Sequence, residues 1–120
     1  MSNPLAERHC KPVVKGGPAL SAGEARALLV QLHPDWTLDA GSDAIHRSFR
    51  FRDFHATMAF VNAVAWIAHR EDHHPDLEVG YNRCRVRYST HAVGGLSEND
   101  FICAARIDAL DSAALPRGAA

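Results

Sequence analysis

Apolar positions along this chain recur with two periods, and the switches between them mark five elements. From Ser21 the period is helical. Ala25, Leu28, Leu29 and Leu32 fall at i, i+3, i+4 and i+7, one stripe of a helix that Pro34 is expected to end. Ser21 and Glu24 have capping-box spacing, so the helix is expected to open there. The period then drops to two. Trp36 to Leu38 is a candidate short strand, Ala40-Gly41-Ser42-Asp43 a turn, and Ile45, Phe49 and Phe51 alternate with His46, Ser48 and Arg50, which predicts a hairpin. Arg47 interrupts the apolar side of that alternation, so it is expected near a sheet edge or at an exposed strand end.

Asp53 can cap a long second helix over 54–73. Two adjoining apolar stripes run along it, Phe54, Met58, Val61, Ala65 and Ala68 beside Phe60, Val64 and Ile67. That surface is too wide for packing on one sheet alone, so a partner subunit is expected on part of it. The remaining face carries His55, Asn62, Trp66, His69 and His73. Pro75 disfavours helical backbone at His74, which predicts a stop at about His73. Leu77, Val79 and Tyr81, then Cys84, Val86 and Tyr88, alternate with polar residues and predict a second hairpin turning at Asn82-Arg83. After a Gly94-Gly95 loop, Leu96 against Phe101 and Ser97 with Asp100 read as a hydrophobic staple and a capping box. Cys103, Ile107, Leu110 and Ala114 then form the stripe of a third helix.

The order helix, hairpin, helix, hairpin, helix leaves connections too short for parallel crossovers except through the central helix. The expected fold is α+β, a single four-stranded, mostly antiparallel sheet with three helices packed on one face. Residues 1–18 lack periodicity and are expected as an irregular N-terminal arm; 19–113 form the one domain and 114–120 a frayed tail.

Composition narrows the function classes. A chain of 120 residues with formal net charge −1 has no electrostatic drive toward nucleic acid or anionic lipid. No run approaches the roughly 20 apolar residues of a membrane span, and residues 1–15 lack the apolar core of a secretory signal, so a cytoplasmic protein is expected. Cys10, Cys84 and Cys103 are widely spaced, without a Cys-x-x-Cys pair, and are expected to be reduced. Histidine is the outlier: of eight, four lie between residues 69 and 91.

Those four are the candidate chemistry. His69 and His73 stand at i, i+4, His73-His74 precede a proline where a chain break can throw adjacent side chains around a cavity, and His91 follows a strand. Each also has a structural reading. The helix histidines can be solvated or cap carbonyls, His91 can bond backbone, Asp100 can serve only its capping box, and Trp66 can be a core aromatic instead of a stacking platform. Imidazoles with an unperturbed pKa near ~6.5 can donate and accept protons at neutral pH, as elimination of water requires. No metal or cofactor is needed for that. His69, His73 and His91 could alternatively bind a metal, although thiolate and carboxylate ligands are lacking, and no metal is expected.

His69-x3-His73-His74-Pro75-x5-Tyr81-x9-His91-x8-Asp100, with Ser89-Thr90-His91 and Gly95-Leu96-Ser97, closely resembles the signature of the pterin-4a-carbinolamine dehydratases. The resemblance implies dehydration of 4a-hydroxytetrahydropterins to quinonoid dihydropterins, which recycles the tetrahydrobiopterin-type cofactor of aromatic amino acid hydroxylases. It implies His73 and His91 as general acid/base groups, His74 as a residue that holds and polarises the pterin, and Asp100, with Ser89, Thr90, His69 and Trp66, as binding or support. It implies a homodimer or homotetramer. It also leaves open a non-catalytic pterin-binding or assembly module on the same fold. An acidic residue is usual at position 69; with His69 in its place the acid limb of the pH–rate profile is expected at lower pH.

Overall fold

The structure, a computed structural model of the chain, describes residues 5–110. A single 3-10 turn, Leu5–Glu7, precedes α1 (Ala22–Leu29), β1 (Thr37–Leu38), β2 (Ile45–Arg50), α2 (Phe54–Glu71), β3 (Asp76–Val79), β4 (Arg83–Tyr88), a second 3-10 turn (His91–Val93) and α3 (Glu98–Asp108). The strands form one sheet in the order β1-β2-β4-β3, and every neighbouring pair is antiparallel, none parallel. Register explains why one face is covered. Ile45 opposite Tyr88, Arg47 opposite Val86 and Phe49 opposite Cys84 point to the three helices, while His46 with Arg87, Ser48 with Arg85 and Arg50 with Arg83 occupy the polar face.

The core is built on α2. Ala56, Phe60, Val64 and Ile67 are buried, and Phe60 lies 4.5 Å from the Phe49 ring and 5.1 Å from Phe51. Of the second stripe of α2, Phe54 and Ala65 are exposed, while Met58, Val61 and Ala68 are half-buried and Val61 packs against the core. α1 stops at Leu29, before Pro34, because Gln31 and Leu32 tighten into i→i−3 bonds to Leu28 and Leu29. Leu96 and Phe101 are both fully buried where α3 begins.

Three local expectations are corrected. Arg47 lies in a central strand and is buried; its guanidinium donates to Asp108 at 2.8 Å and lies 4.3 Å over the Phe49 ring. A partner 61 residues away makes the buried charge tolerable, and no local pattern reports it. The second hairpin turns earlier, with the Gly80 amide donating to the Arg83 carbonyl, so Tyr81 is a turn residue. α2 ends at Glu71 and not His73, because Asp72 adopts φ 51° and both its amide and that of His73 reach the Ala68 carbonyl.

The segment before Ser21 is packed against the domain. Leu5 is 1% exposed against α3, Arg106 donates to the Arg8 carbonyl, and Lys11 and Asn99 exchange two hydrogen bonds at 3.0 and 2.7 Å. This cover explains why α3 is buried from Asn99 to Ala105 and not only along its Cys103–Ile107 stripe. The third-helix position Ala114 and the 114–120 tail lie outside the described residues.

Candidate active site

The left-handed turn at Asp72 takes His73 off the helix and sends its side chain under the sheet's end. There it meets Asp100, three residues into α3. His73 Nε2 lies 2.6 Å from Asp100 Oδ1, and the imidazole stacks on the Tyr88 ring at 5.7 Å and 10°. Asp100 is fully buried, and its other oxygen accepts from Thr90 Oγ1 at 2.7 Å and from the Ser97 amide at 3.0 Å. Since the Thr90 hydroxyl donates its one proton to Asp100, the Ser97 hydroxyl 2.7 Å away must donate to Thr90. An ionised carboxylate only accepts, so His73 Nε2 carries a proton and Nδ1 is the ring nitrogen left for the pocket.

Thr90 closes the other side. Its amide and carbonyl pair with Gly95, which folds 91–94 into a tight turn, and Gly94 ends that turn at φ 66°, a conformation glycine adopts without strain. His91 thereby stands exposed beside the pocket. The cavity encloses about 210 Å³. His73, His74, Ser89, Thr90 and His91 line it, as Asp100 supports it from behind. A neighbouring depression shares Arg87, Ser89, Thr90 and His91 and extends toward Asp43.

His69 and Trp66 stand elsewhere. Both are on the exposed side of α2, their rings 6.1 Å apart, and Trp66 borders a separate depression with Arg70 and Arg106. The carboxylate facing His73 is therefore that of Asp100 and not a side chain at position 69. His69 does not converge with His73 and His91, and among the described residues no group of three His, Cys, Asp or Glu side chains could hold a metal ion.

Sequence reasoning missed five lining residues: Val13, Asp72, Asp76, Arg87 and Ala92. Arg87 and Asp76 carried a faint signal, as cross-strand polar partners at the sheet end nearest the histidines. Val13 carried none. Arg87 Nε is held 3.3 Å from Asp39, which also meets His46 at 2.6 Å. Burial pushes the Asp39 carboxyl up, but the bonds and charges of His46 and Arg87 outweigh it and hold the group below the usual carboxylate range. Burial raises the Cys84 thiol to about 11, and the hydrogen bond between the Cys103 and Cys10 thiols together with burial raises Cys103 further, so both stay protonated and unsuited to nucleophilic work. The constellation can bind a flat polar molecule and move protons on it.

Known proteins of one family resemble this chain. The model of the family described as pterin 4 alpha carbinolamine dehydratase matches residues 18–110. A Nitrosomonas eutropha protein, provisionally named pterin-4-alpha-carbinolamine dehydratase, is 59% identical over 106 residues, 88% of this chain and 92% of that one. A Stenotrophomonas maltophilia protein with the same provisional name is 61% identical over 108 residues, 89% of this chain and 91% of its own. Among solved structures, a Brucella melitensis transcriptional coactivator/pterin dehydratase superposes with TM-score 0.71 at 35% identity, covering 76% of this chain and 96% of its own. A pterin dehydratase-like protein identified as a RuBisCO assembly factor in the alpha-carboxysome shares the fold, with TM-score 0.56 at 24% identity over 65% of this chain and 90% of its own. Among the described residues, no helix is long and apolar enough to cross a membrane.

Proposed function

Because this chain belongs to the pterin 4 alpha carbinolamine dehydratase family, we propose that it eliminates water from a 4a-hydroxytetrahydropterin by histidine acid/base catalysis. The C4a–O bond breaks, the hydroxyl leaves with an added proton as water, N5 gives up its proton, and the C4a=N5 bond of the quinonoid dihydropterin forms. His73 and His91 are the proton-transfer pair; His74 holds and polarises the ring. The observation that carries this reading is the buried Asp100 carboxylate 2.6 Å from His73 Nε2, because it fixes the ring and tautomer of one proton-transfer group before substrate arrives. His91, on the exposed turn, lines the same cavity. The reaction would recycle a tetrahydrobiopterin-type cofactor for an aromatic amino acid hydroxylase.

The test is the decay of chemically generated 4a-hydroxytetrahydropterin followed against its spontaneous dehydration. His73→Ala and His91→Ala are each expected to lower kcat roughly 10²- to 10⁴-fold while remaining folded. Folded variants that dehydrate at the wild-type rate would refute the assigned roles. One observation favours a second reading, a homo-oligomeric assembly role alongside or in place of catalysis: among the described residues, α2 leaves the apolar side chains of Phe54, 49% exposed, and Ala65 open on its outer side. Tight pterin binding without turnover would select that reading.

A further inference from the structure

Val13 reaches the pocket from a segment that the family match, beginning at residue 18, does not include. The segment is pinned at both ends. On one side the Cys10 amide donates to Glu71 at 2.7 Å, and Lys11 is clasped through its amide and carbonyl by Asn99. On the other, the Gly16 amide donates to the Ala92 carbonyl at 2.7 Å, with Gly16 at φ 80° turning the chain to make that bond. Residues 12–15 therefore span the gap between the end of α2 and the His91 turn, and Pro12 stiffens the span. Val13 and Ala92 are the two hydrocarbon side chains among residues that are otherwise acidic, basic or hydroxylic. A planar heterocycle needs polar groups around its edge and an apolar surface for a face. The histidine and strand residues supply the first.

We propose that residues 12–15 are a fixed strap across the pocket and that Val13 is a substrate-binding residue, the apolar surface against which the bicyclic ring of a bound pterin lies. Val13 is 38% exposed and lines this cavity as well as a second depression beside it, and the part on the cavity is the area that the ligand covers. The inference rests on the pterin reading above and adds to it a binding wall outside the residues that the family model matches.

Steady-state dehydration of 4a-hydroxy-6-methyltetrahydropterin by the full chain tests it. Val13→Ala is expected to raise KM roughly three- to tenfold, the partial loss of two buried methyl groups, with little change in kcat. Asn99→Leu, which removes the Lys11 anchor of the strap without touching the cavity, is expected to raise KM as well. The double variant should fall short of the product of the two single effects, since a loosened strap presents residue 13 less firmly. Wild-type KM in both single variants, with wild-type thermal melts, would overturn the strap and leave the dehydratase reading intact. A wild-type chain that neither binds nor turns over the pterin would overturn both.

Discussion

Asp100 does two things with one carboxylate, and the separation of its oxygens makes that possible. Oδ2 satisfies the Ser97 amide at the start of α3 and the Thr90 hydroxyl, while Oδ1 is free to hold His73. The structural and functional readings of this residue are compatible, because a carboxylate offers about four acceptor sites. Asp100→Asn keeps the size but can present an NH₂ to His73 or Thr90, favouring the wrong tautomer. We expect a folded protein with kcat lowered between about 10²- and 10⁴-fold, measured as dehydration rate beside a thermal melt. His69→Glu is the contrasting substitution. Since residue 69 stands on the exposed side of α2 outside the cavity, its pH–rate profile is expected to overlay the wild type; a displaced acid limb would show that position 69 acts on His73 after all.

At the scale of the element, the last turn of α2 connects site and strap. Glu71 is buried on the inner side of that turn, accepting from the Cys10 amide and facing His9 at 2.9 Å and Arg106 at 3.7 Å. Burial pushes its carboxyl up, but these donors and charges prevail and the group stays below the usual carboxylate range. A carboxyl held lower in the folded chain than its unfolded value near ~4.3 stabilises the fold above that value, and the contribution is lost as pH falls through the lowered one. Glu71→Gln is therefore expected to lower stability at neutral pH and to flatten its decline on acidification, read from denaturant melts between about pH 3 and 7. A parallel curve for the variant would show that Glu71 does not anchor the arm. Capping and periodicity gave α2 its start at Asp53 and its buried row. Its end was misplaced by two residues, because Asp72 tolerates a left-handed backbone that no spacing rule announces.

For the whole molecule, the outward stripe of α2 is the unfinished surface. Phe60, Val64 and Ile67 serve the core and Val61 packs beside them, while Phe54 and Ala65 of the second stripe are exposed, so only part of the double stripe visible in the sequence is left outside. We expect a dimer or tetramer by light scattering at micromolar concentration, and Ala65→Glu, harmless on a free helix, to shift it toward monomer. A wild-type monomer across that range would refute the assembly.

The sequence by itself determined what spans a few residues: two periodicities, the Ser21 and Asp53 caps, the buried staple at α3, the order of elements and with it the antiparallel sheet, and the grouping of histidines beside a proline. These features were legible because the interactions behind them join residues about four apart along a helix or directly across a hairpin. Tertiary structure decided the rest. The His73–Asp100 bond spans 27 residues, Arg47–Asp108 spans 61 and the Lys11–Asn99 clasp 88, and each depends on how finished elements pack against one another. For that reason His73 entered the site while His69, four residues earlier, did not, and a segment without any period became a wall of the pocket.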